Sequence, residues 1–218
     1  PAPGLFNTLK ILWIIYSGFT LLGIVILGLA KMPLFDAVCH AFTAVSTGGF
    51  SPHDASIDFY RQNGHAHYRL IEYALTFMMM LGGINFLIHY RVLTGDIKAL
   101  WDNIEIRYWW RLIVAFTVVV MLDHLHTTGL LSSILTSRTL PDGGRTESVF
   151  RHCLFQVMAL LTGTGFKTQD IGSDFFGAAS KQLFLVMMVI GGCAGSTSGG
   201  FKVLRVAMLS RLVQGQLF

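Results

Sequence analysis

Long apolar runs separated by short clusters of charge dominate the chain. Residues 11–30 form 20 consecutive uncharged positions, and residues 182–201 form another 20. Two shorter uncharged runs, 73–88 and 112–122, continue in apolar character past the charges beside them, the second to about residue 135. Because roughly 20 apolar residues cross the hydrocarbon core of a bilayer as a helix, the pattern predicts four membrane-spanning helices.

A short motif occurs twice between these runs. The segment Ser46-Thr47-Gly48-Gly49-Phe50 has a counterpart 116 residues later, Thr162-Gly163-Thr164-Gly165-Phe166, with no gap. An uncharged stretch of about 14 residues precedes each copy. As a helix it would reach roughly 21 Å, about half of a crossing. Two aspartates follow each copy at equal offsets: Asp54 and Asp58, then Asp170 and Asp174.

This periodicity predicts an all-α membrane protein built from helix–pore loop–helix repeats. The first predicted repeat covers residues 8–93, with its pore loop at 33–52, and the second covers 108–218, with its pore loop at 146–168. Residues 94–107 lie between them. The spacing of Ile97, Leu100, Trp101 and Ile104 predicts a short amphipathic linker helix at the cytoplasmic membrane surface.

The repeated turns are typical of a cation filter. Non-helical backbone at membrane depth is tolerated where it lines a watery cavity or is buried in protein. Glycine accepts the backbone angles that aim successive carbonyls to one side, and rings of such carbonyls replace the hydration shell of an ion. An ordinary glycine-rich turn between helices is the alternative, and two copies in register argue against it. The candidate filter residues are Ser46, Thr47, Gly48, Gly49, Thr162, Gly163, Thr164 and Gly165.

The last apolar run is broken by a stretch with five glycines in the ten residues 191–200. Glycine costs a helix about 0.8–1 kcal/mol relative to alanine, so the run should unwind here and form an intramembrane gate loop over 191–201. A helix-packing face through Gly191, Gly195 and Gly199 is the alternative. A phosphate-binding loop would need lysine where Phe201 stands. The candidate gate residues are Gly191, Gly192, Gly195, Ser196, Thr197, Ser198, Gly199, Gly200 and Lys202.

Composition agrees with a membrane transporter and excludes other classes. Only 13% of the residues are charged and the mean hydropathy is +0.58, whereas soluble domains carry about 25% charge. The basic residues lie at helix ends and form no stripe, so nucleic acid is not expected as a partner. Three cysteines without ligand spacing give no metal site, and neither an enzyme nor a cofactor is expected. The aspartates after the turns either line an outer vestibule or cap and pair locally.

These motifs resemble the potassium-transporter superfamily that includes Trk, Ktr and plant HKT proteins. The two turns resemble its filter signatures, and residues 191–202 are similar to the intramembrane loop of bacterial TrkH-type subunits. The resemblance extends over almost the whole chain. It implies that Gly49 and Gly165 are filter glycines, with potassium bound by the backbone carbonyls of Thr47, Gly48, Gly163 and Thr164.

The resemblance also implies a larger assembly. In that family four repeats in one chain surround a single pore, and the two repeats here resemble the second and third, so the first and fourth are expected to be missing from this sequence. Either the chain is part of a longer protein, or two such chains associate. The family further implies a multi-pass homodimer in the bacterial inner membrane and a cytosolic TrkA-type nucleotide-binding subunit. Sodium or mixed cation passage, or a non-conducting membrane scaffold, remain as alternatives. The positive-inside rule gives a tie for this chain, so orientation follows from the resemblance only.

Overall fold

The computed structural model of the chain describes residues 5–129 and 143–217. These residues form helices and connecting loops without a strand, which confirms the all-α prediction. Residues 130–142, which include the end of the predicted third spanning run and part of the predicted second repeat, lie outside the described ranges. The helices are α1 (Leu5–Leu29), α2 (Leu34–Val45), α3 (Asp58–Gln62), α4 (Tyr68–Gly83), α5 (Phe86–Leu93), α6 (Ala99–Asp102), α7 (Ile104–Thr127), α8 (Gly143–Leu161), α9 (Ala178–Val189) and α10 (Val203–Leu217).

The prediction of four spanning helices is not met by length and composition in the described residues. One uninterrupted helix, Phe6–Leu29, is long and apolar enough to cross a bilayer. A second crossing results if α4 and α5 are counted together, although their axes differ by 103°. The helix α7 has 24 residues but carries charges near both ends. The helix α9 has only 12 residues, because the glycine-rich stretch ends it early.

The break between α4 and α5 was predicted as part of a continuous span. Gly82 and Gly83 end α4, Ile84 is extended, and the side chain of Asn85 caps α5 by accepting a hydrogen bond from the Leu87 N–H at 2.8 Å. The carbonyls freed at the break accept hydrogen bonds from the glycine-rich stretch: Thr197 N–H donates to Gly82 at 3.1 Å and Cys193 N–H to Gly83 at 2.9 Å. Tertiary hydrogen bonds therefore pair the carbonyls that the break leaves without a helical partner. Hydrophobic periodicity alone does not predict these bonds.

The linker differs from the amphipathic helix predicted over residues 94–107. Ala99–Asp102 form a separate short helix there and residues 104–107 already belong to α7, because Gly95 turns the chain at a φ of +101° and Asn103 is extended. The Asn103 side chain accepts from the Glu105 N–H at 3.1 Å and so starts α7 at Ile104. Trp101 and Ile97 are exposed, as a surface-lying segment requires.

The helix α8, which is the second predicted pore helix as α2 is the first, is longer than the half-helix predicted from the uncharged stretch. The helix α8 has 19 residues, whereas its counterpart α2 has 12. Both pack in the centre of the molecule, α2 against α1 and α4, and α8 against α4, α7 and α9. The two pore helices consequently reach α4 from different sides, which brings the turns at their C-terminal ends to the same place.

Candidate cation pathway

The turn after each pore helix has the same backbone conformation in both copies. In the first, Thr47 and Gly49 have φ values of +54° and +70°, and in the second, Gly163 and Gly165 have +71° and +82°. The residues between them, Gly48 and Thr164, do not share this left-handed conformation. Alternation of this kind is the geometry that glycine makes accessible, and threonine at position 47 adopts it at a cost of roughly 1–3 kcal/mol.

Equivalent hydrogen bonds fix both turns to their helices. The Gly49 N–H donates to the Thr43 carbonyl at 3.2 Å, and the Gly165 N–H donates to the Ala159 carbonyl at 3.0 Å. Thr43 and Ala159 are themselves 116 residues apart. Carbonyls in the last turns of both helices thus hold the turns. Among the described residues, no hydrogen bond is donated to the carbonyls of the predicted ligands, Thr47, Gly48, Gly163 and Thr164.

The two turns contact each other directly. A Cβ built on Gly49 would overlap the carbonyl oxygen of Thr164, so this carbonyl lies against the backbone of the first turn. A Cβ on Gly163 or Gly165 would meet nothing within 4 Å. The predicted filter residues of the two repeats are therefore adjacent, and the far side of the second turn faces open space in the described part of the chain.

The side chains around the turns rigidify them. Thr162 and Thr164 hydroxyls lie 2.7 Å apart, and Thr162 also donates to the Met158 carbonyl at 2.7 Å. Phe166, the last residue of the second motif, is fully buried against the ring of His40 in α2, with centroids 5.8 Å apart. Phe50, its counterpart, is 78% exposed. The second turn is anchored on the first pore helix, and the first turn presents its equivalent anchor without a partner in the described residues.

The stretch for which a gate loop is predicted is not helical. The chain leaves α9 at Val189 and enters α10 at Val203. Its ends are tied together, since Gly191 N–H donates to the Phe201 carbonyl at 3.0 Å and Phe201 N–H to the Val189 carbonyl at 2.8 Å. Because this stretch is not a helix, Gly191, Gly195 and Gly199 form no helix-packing face, and that alternative is wrong.

The loop lies directly against the base of the first turn. The Thr197 hydroxyl is 2.8 Å from the Val45 carbonyl, at the end of α2, and 3.0 Å from the Gly82 carbonyl. The Phe86 N–H donates to the Gly195 carbonyl at 3.1 Å. The loop therefore joins the first pore helix to the break between α4 and α5.

Charged groups hold the loop from two sides. Glu105, buried at the start of α7, accepts a hydrogen bond from the Ala194 N–H at 2.5 Å. The Lys202 ammonium group donates to the Ser198 carbonyl. Within the loop, the Ser198 hydroxyl accepts from the Gly192 N–H at 2.8 Å, and Ser196 and Ser198 hydroxyls lie 3.0 Å apart. Glu105 was not singled out from the sequence, where it reads as an ordinary first-turn acid of a helix.

A buried acid supports the N-terminal end of the first pore helix. Asp36 accepts hydrogen bonds from His53 at 2.8 Å and from the Tyr60 hydroxyl at 2.7 Å. Burial by itself would raise the pKa of Asp36, but these two hydrogen bonds, together with the electrostatic effect of His53 and His40, hold the pKa below its ordinary value. Burial and the neighbouring carboxylate raise the pKa of Tyr60, so its hydroxyl stays protonated and donates.

This cluster predicts an acid-sensitive contribution to stability. A lowered folded-state pKa stabilises the fold at pH values above the unfolded pKa, about 3.9 for aspartate, and the contribution is lost as pH falls through the folded pKa. We expect the melting temperature to fall below about pH 4 with a steeper slope in the wild type than in Asp36→Asn. An equal decrease of the melting temperature with pH for both proteins, measured by thermal melting in detergent, would contradict the role of Asp36.

The aspartates that follow the turns make mostly local contacts. Asp58 pairs with Arg61 at 2.7 Å, and Asp170 accepts from the Gly172 N–H at 3.1 Å. These contacts correspond to the capping and pairing alternative of the sequence analysis. Asp123, which interrupts the apolar run of α7, caps α9 by accepting from the Ser180 N–H at 2.9 Å. In the described residues, no group of histidine, cysteine and acidic side chains is arranged to hold a metal ion.

A family model and several known proteins are similar to this chain. The family TrkH, described as cation transport protein, matches residues 2–217. The Trk system potassium uptake protein TrkH of Salmonella typhimurium is 30% identical over 217 residues, covering 95% of this chain and 39% of that protein. TrkG of Escherichia coli strain K12, also a Trk system potassium uptake protein, is 34% identical over 212 residues, covering 95% and 38%.

A solved structure shares the fold. The crystal structure of the potassium transporter TrkH from Vibrio parahaemolyticus superposes with a TM-score of 0.81 at 29% identity, over 100% of this chain and 42% of that chain. The chain thus spans about two fifths of the length of the relatives it matches. Members of this family are transport proteins and not enzymes. On the match of almost its entire length, this chain belongs to the TrkH family of cation transport proteins.

Proposed function

We propose that the chain supplies two neighbouring carbonyl-lined loops of a potassium pore in the bacterial inner membrane. The observation that carries this proposal is the contact of Gly49 with the Thr164 carbonyl, between two turns of matching backbone conformation. Backbone carbonyls from such turns replace the water around a dehydrated cation. The carbonyls of Thr47, Gly48, Gly163 and Thr164 are the proposed ligands, and potassium is the transported ion rather than a cofactor.

The remaining loops of the pore are proposed to come from parts of the protein beyond this chain. The relatives are more than twice as long as the matched region. Phe50 is exposed where Phe166 is buried against a preceding pore helix, which supports a further repeat packed on α2. A homodimer of such pores and a cytosolic TrkA-type nucleotide-binding subunit complete the proposed assembly.

Cation uptake by the complete protein in lipid vesicles tests the proposal. We expect potassium to enter faster than sodium under the same gradient and to shift the membrane potential towards its own equilibrium value. Uptake equal to that of protein-free vesicles would contradict conduction, and equal potassium and sodium uptake would assign the pore to the less selective alternative.

The glycine-rich loop is proposed to be the gate of this pore. Its contacts to the Val45 carbonyl and to the α4–α5 break lie next to the C-terminal end of α2, the first proposed pore helix, and support this role. The buried Glu105 carboxylate holds Ala194 in this position. A loop held by a few hydrogen bonds opens when they are lost, and a hydrogen bond to a charged group contributes about 1.5–3 kcal/mol.

Removing the charge of Glu105 is therefore expected to open the loop. Glu105→Gln should raise passive potassium flux about tenfold or more, since 1.4 kcal/mol changes an equilibrium by a factor of ten. Asp102→Asn is the matched control, because Asp102 is an exposed acid three residues away. Equal passive potassium flux into vesicles for both variants would contradict the proposal that Glu105 keeps the loop closed. Deleting residues from Gly195–Gly200 should raise flux in the same way.

A further inference from the structure

A small pocket lined by three arginines lies at the N-terminal end of α7. Its volume is about 210 Å³, and it is formed by Ile104, Arg107, Tyr108 and Arg111 of α7 together with Arg211 of α10. The Ser210 hydroxyl donates to the Tyr108 hydroxyl at 3.2 Å, which joins the two helices beside the pocket. This arginine pocket is separate from the turns and the glycine-rich loop.

The positive charge of the arginine pocket is not neutralised by the protein in the described ranges. The Arg107 guanidinium donates to a backbone carbonyl, that of Asp102, at 3.3 Å. The Arg111 guanidinium lies 5.5 Å from the centre of the Tyr108 ring. Among the described residues, none of the three arginines forms a salt bridge. Glu105 points to the glycine-rich loop instead.

An apolar stripe continues from the pocket along α7. Arg107 and Arg111 are four residues apart and share one helix face with Val114, Val118 and Leu122, at spacings of three and four. All five side chains are exposed. The opposite face, with Ile106, Trp109, Ile113, Val120 and His124, is buried in the protein. One surface of α7 therefore presents two cations at its end and branched apolar side chains further along.

We propose that the arginine pocket and this stripe bind an anionic phospholipid. Arginine matches phosphate with paired, charge-assisted hydrogen bonds, and basic pockets between membrane helices suit anionic head groups. The apolar stripe leads away from the phosphate position in the direction that an acyl chain takes into the bilayer. An acidic protein segment would need the charges but has no use for the stripe, so the lipid fits the combined surface better.

Lipid retention by the complete protein tests this site. The protein is purified in mild detergent, supplied with phosphatidylglycerol or phosphatidylcholine, and analysed by native mass spectrometry and thermal melting. The variant Arg107→Gln/Arg111→Gln removes two pocket charges. The matched control Arg91→Gln/Lys98→Gln removes two exposed charges outside the pocket, on α5 and just before α6. Inorganic phosphate alone is a separate arm.

We expect phosphatidylglycerol to be retained in preference to phosphatidylcholine and to raise the melting temperature of the wild type and the control. The pocket variant should retain about tenfold less of it, as expected for lost charge-assisted contacts. Equal retention by the pocket variant and the control would overturn the proposal. Stabilisation by inorganic phosphate equal to that by the lipid would also overturn it and assign the pocket to a free anion.

Discussion

Gly49→Ala in the complete protein is expected to lower the ratio of potassium to sodium uptake by about tenfold. Gly49 has a φ of +70°, and a left-handed conformation costs an alanine roughly 1–2 kcal/mol. The added Cβ would also overlap the Thr164 carbonyl oxygen. The two turns must then move apart, and the carbonyls that would replace the hydration shell of potassium lose their positions.

Two further variants separate the effect of backbone strain at a positive φ from the effect of steric overlap by the added Cβ. Gly165→Ala has the same conformational strain at a φ of +82°, but its Cβ would meet nothing within 4 Å in the described residues. Gly28→Ala in α1 introduces neither strain nor a close contact. We expect the ratio to fall most for Gly49→Ala, less for Gly165→Ala, and not for Gly28→Ala. An unchanged ratio for both turn variants would refute the filter assignment.

Glu72→Ala is expected to cost about 3–5 kcal/mol of stability. Glu72 in α4 forms an ion pair with Arg151 in α8, and each is only 1% exposed. Among the described residues, removing this carboxylate leaves the buried guanidinium with the partly exposed Glu147 as its remaining charged partner. Thermal melting in detergent measures the effect, and a melting temperature within the error of the wild type would contradict it.

Glu147 provides the matched control for this pair. Its carboxylate accepts from the Arg151 Nε at 2.9 Å but its side chain is 31% exposed, so water can replace it. Glu147→Ala should therefore destabilise the protein much less than Glu72→Ala. The double variant Glu72→Ala/Arg151→Met should recover part of the loss, because an apolar side chain of similar length carries no buried charge.

The ion pair also illustrates why some side-chain contacts could not be predicted from the sequence. Arg151 and Glu72 are 79 residues apart, and each looks like a charge at the edge of an apolar run. The same holds for Asp123, which reads as an isolated membrane acid and in fact caps α9. Local sequence patterns identify the charged residues that interrupt an apolar run. They do not identify the distant residue whose ion pair or hydrogen bond stabilises that charge.

For the spanning helices, the sequence predicts more continuity than the structure has. Uncharged runs predict continuous crossings, whereas α4 ends at Gly83 and its axis differs by 103° from that of α5. A pair of glycines was visible there, but the helix breaks because Thr197 and Cys193 satisfy the freed carbonyls. The same pattern in the last run was predicted correctly, since five glycines in residues 191–200 make helix unfavourable without outside help.

The helical class, the two matching turns and the interruption of the last helix could be predicted, because they depend on apolar length, glycine spacing and local backbone preference. The three-dimensional fold was needed to show that Gly49 meets Thr164, that Glu105 holds the glycine-rich loop, and that Arg151 is buried with Glu72. Each of these contacts joins residues far apart in the chain, where the free energy of burial and hydrogen bonding selects the partner.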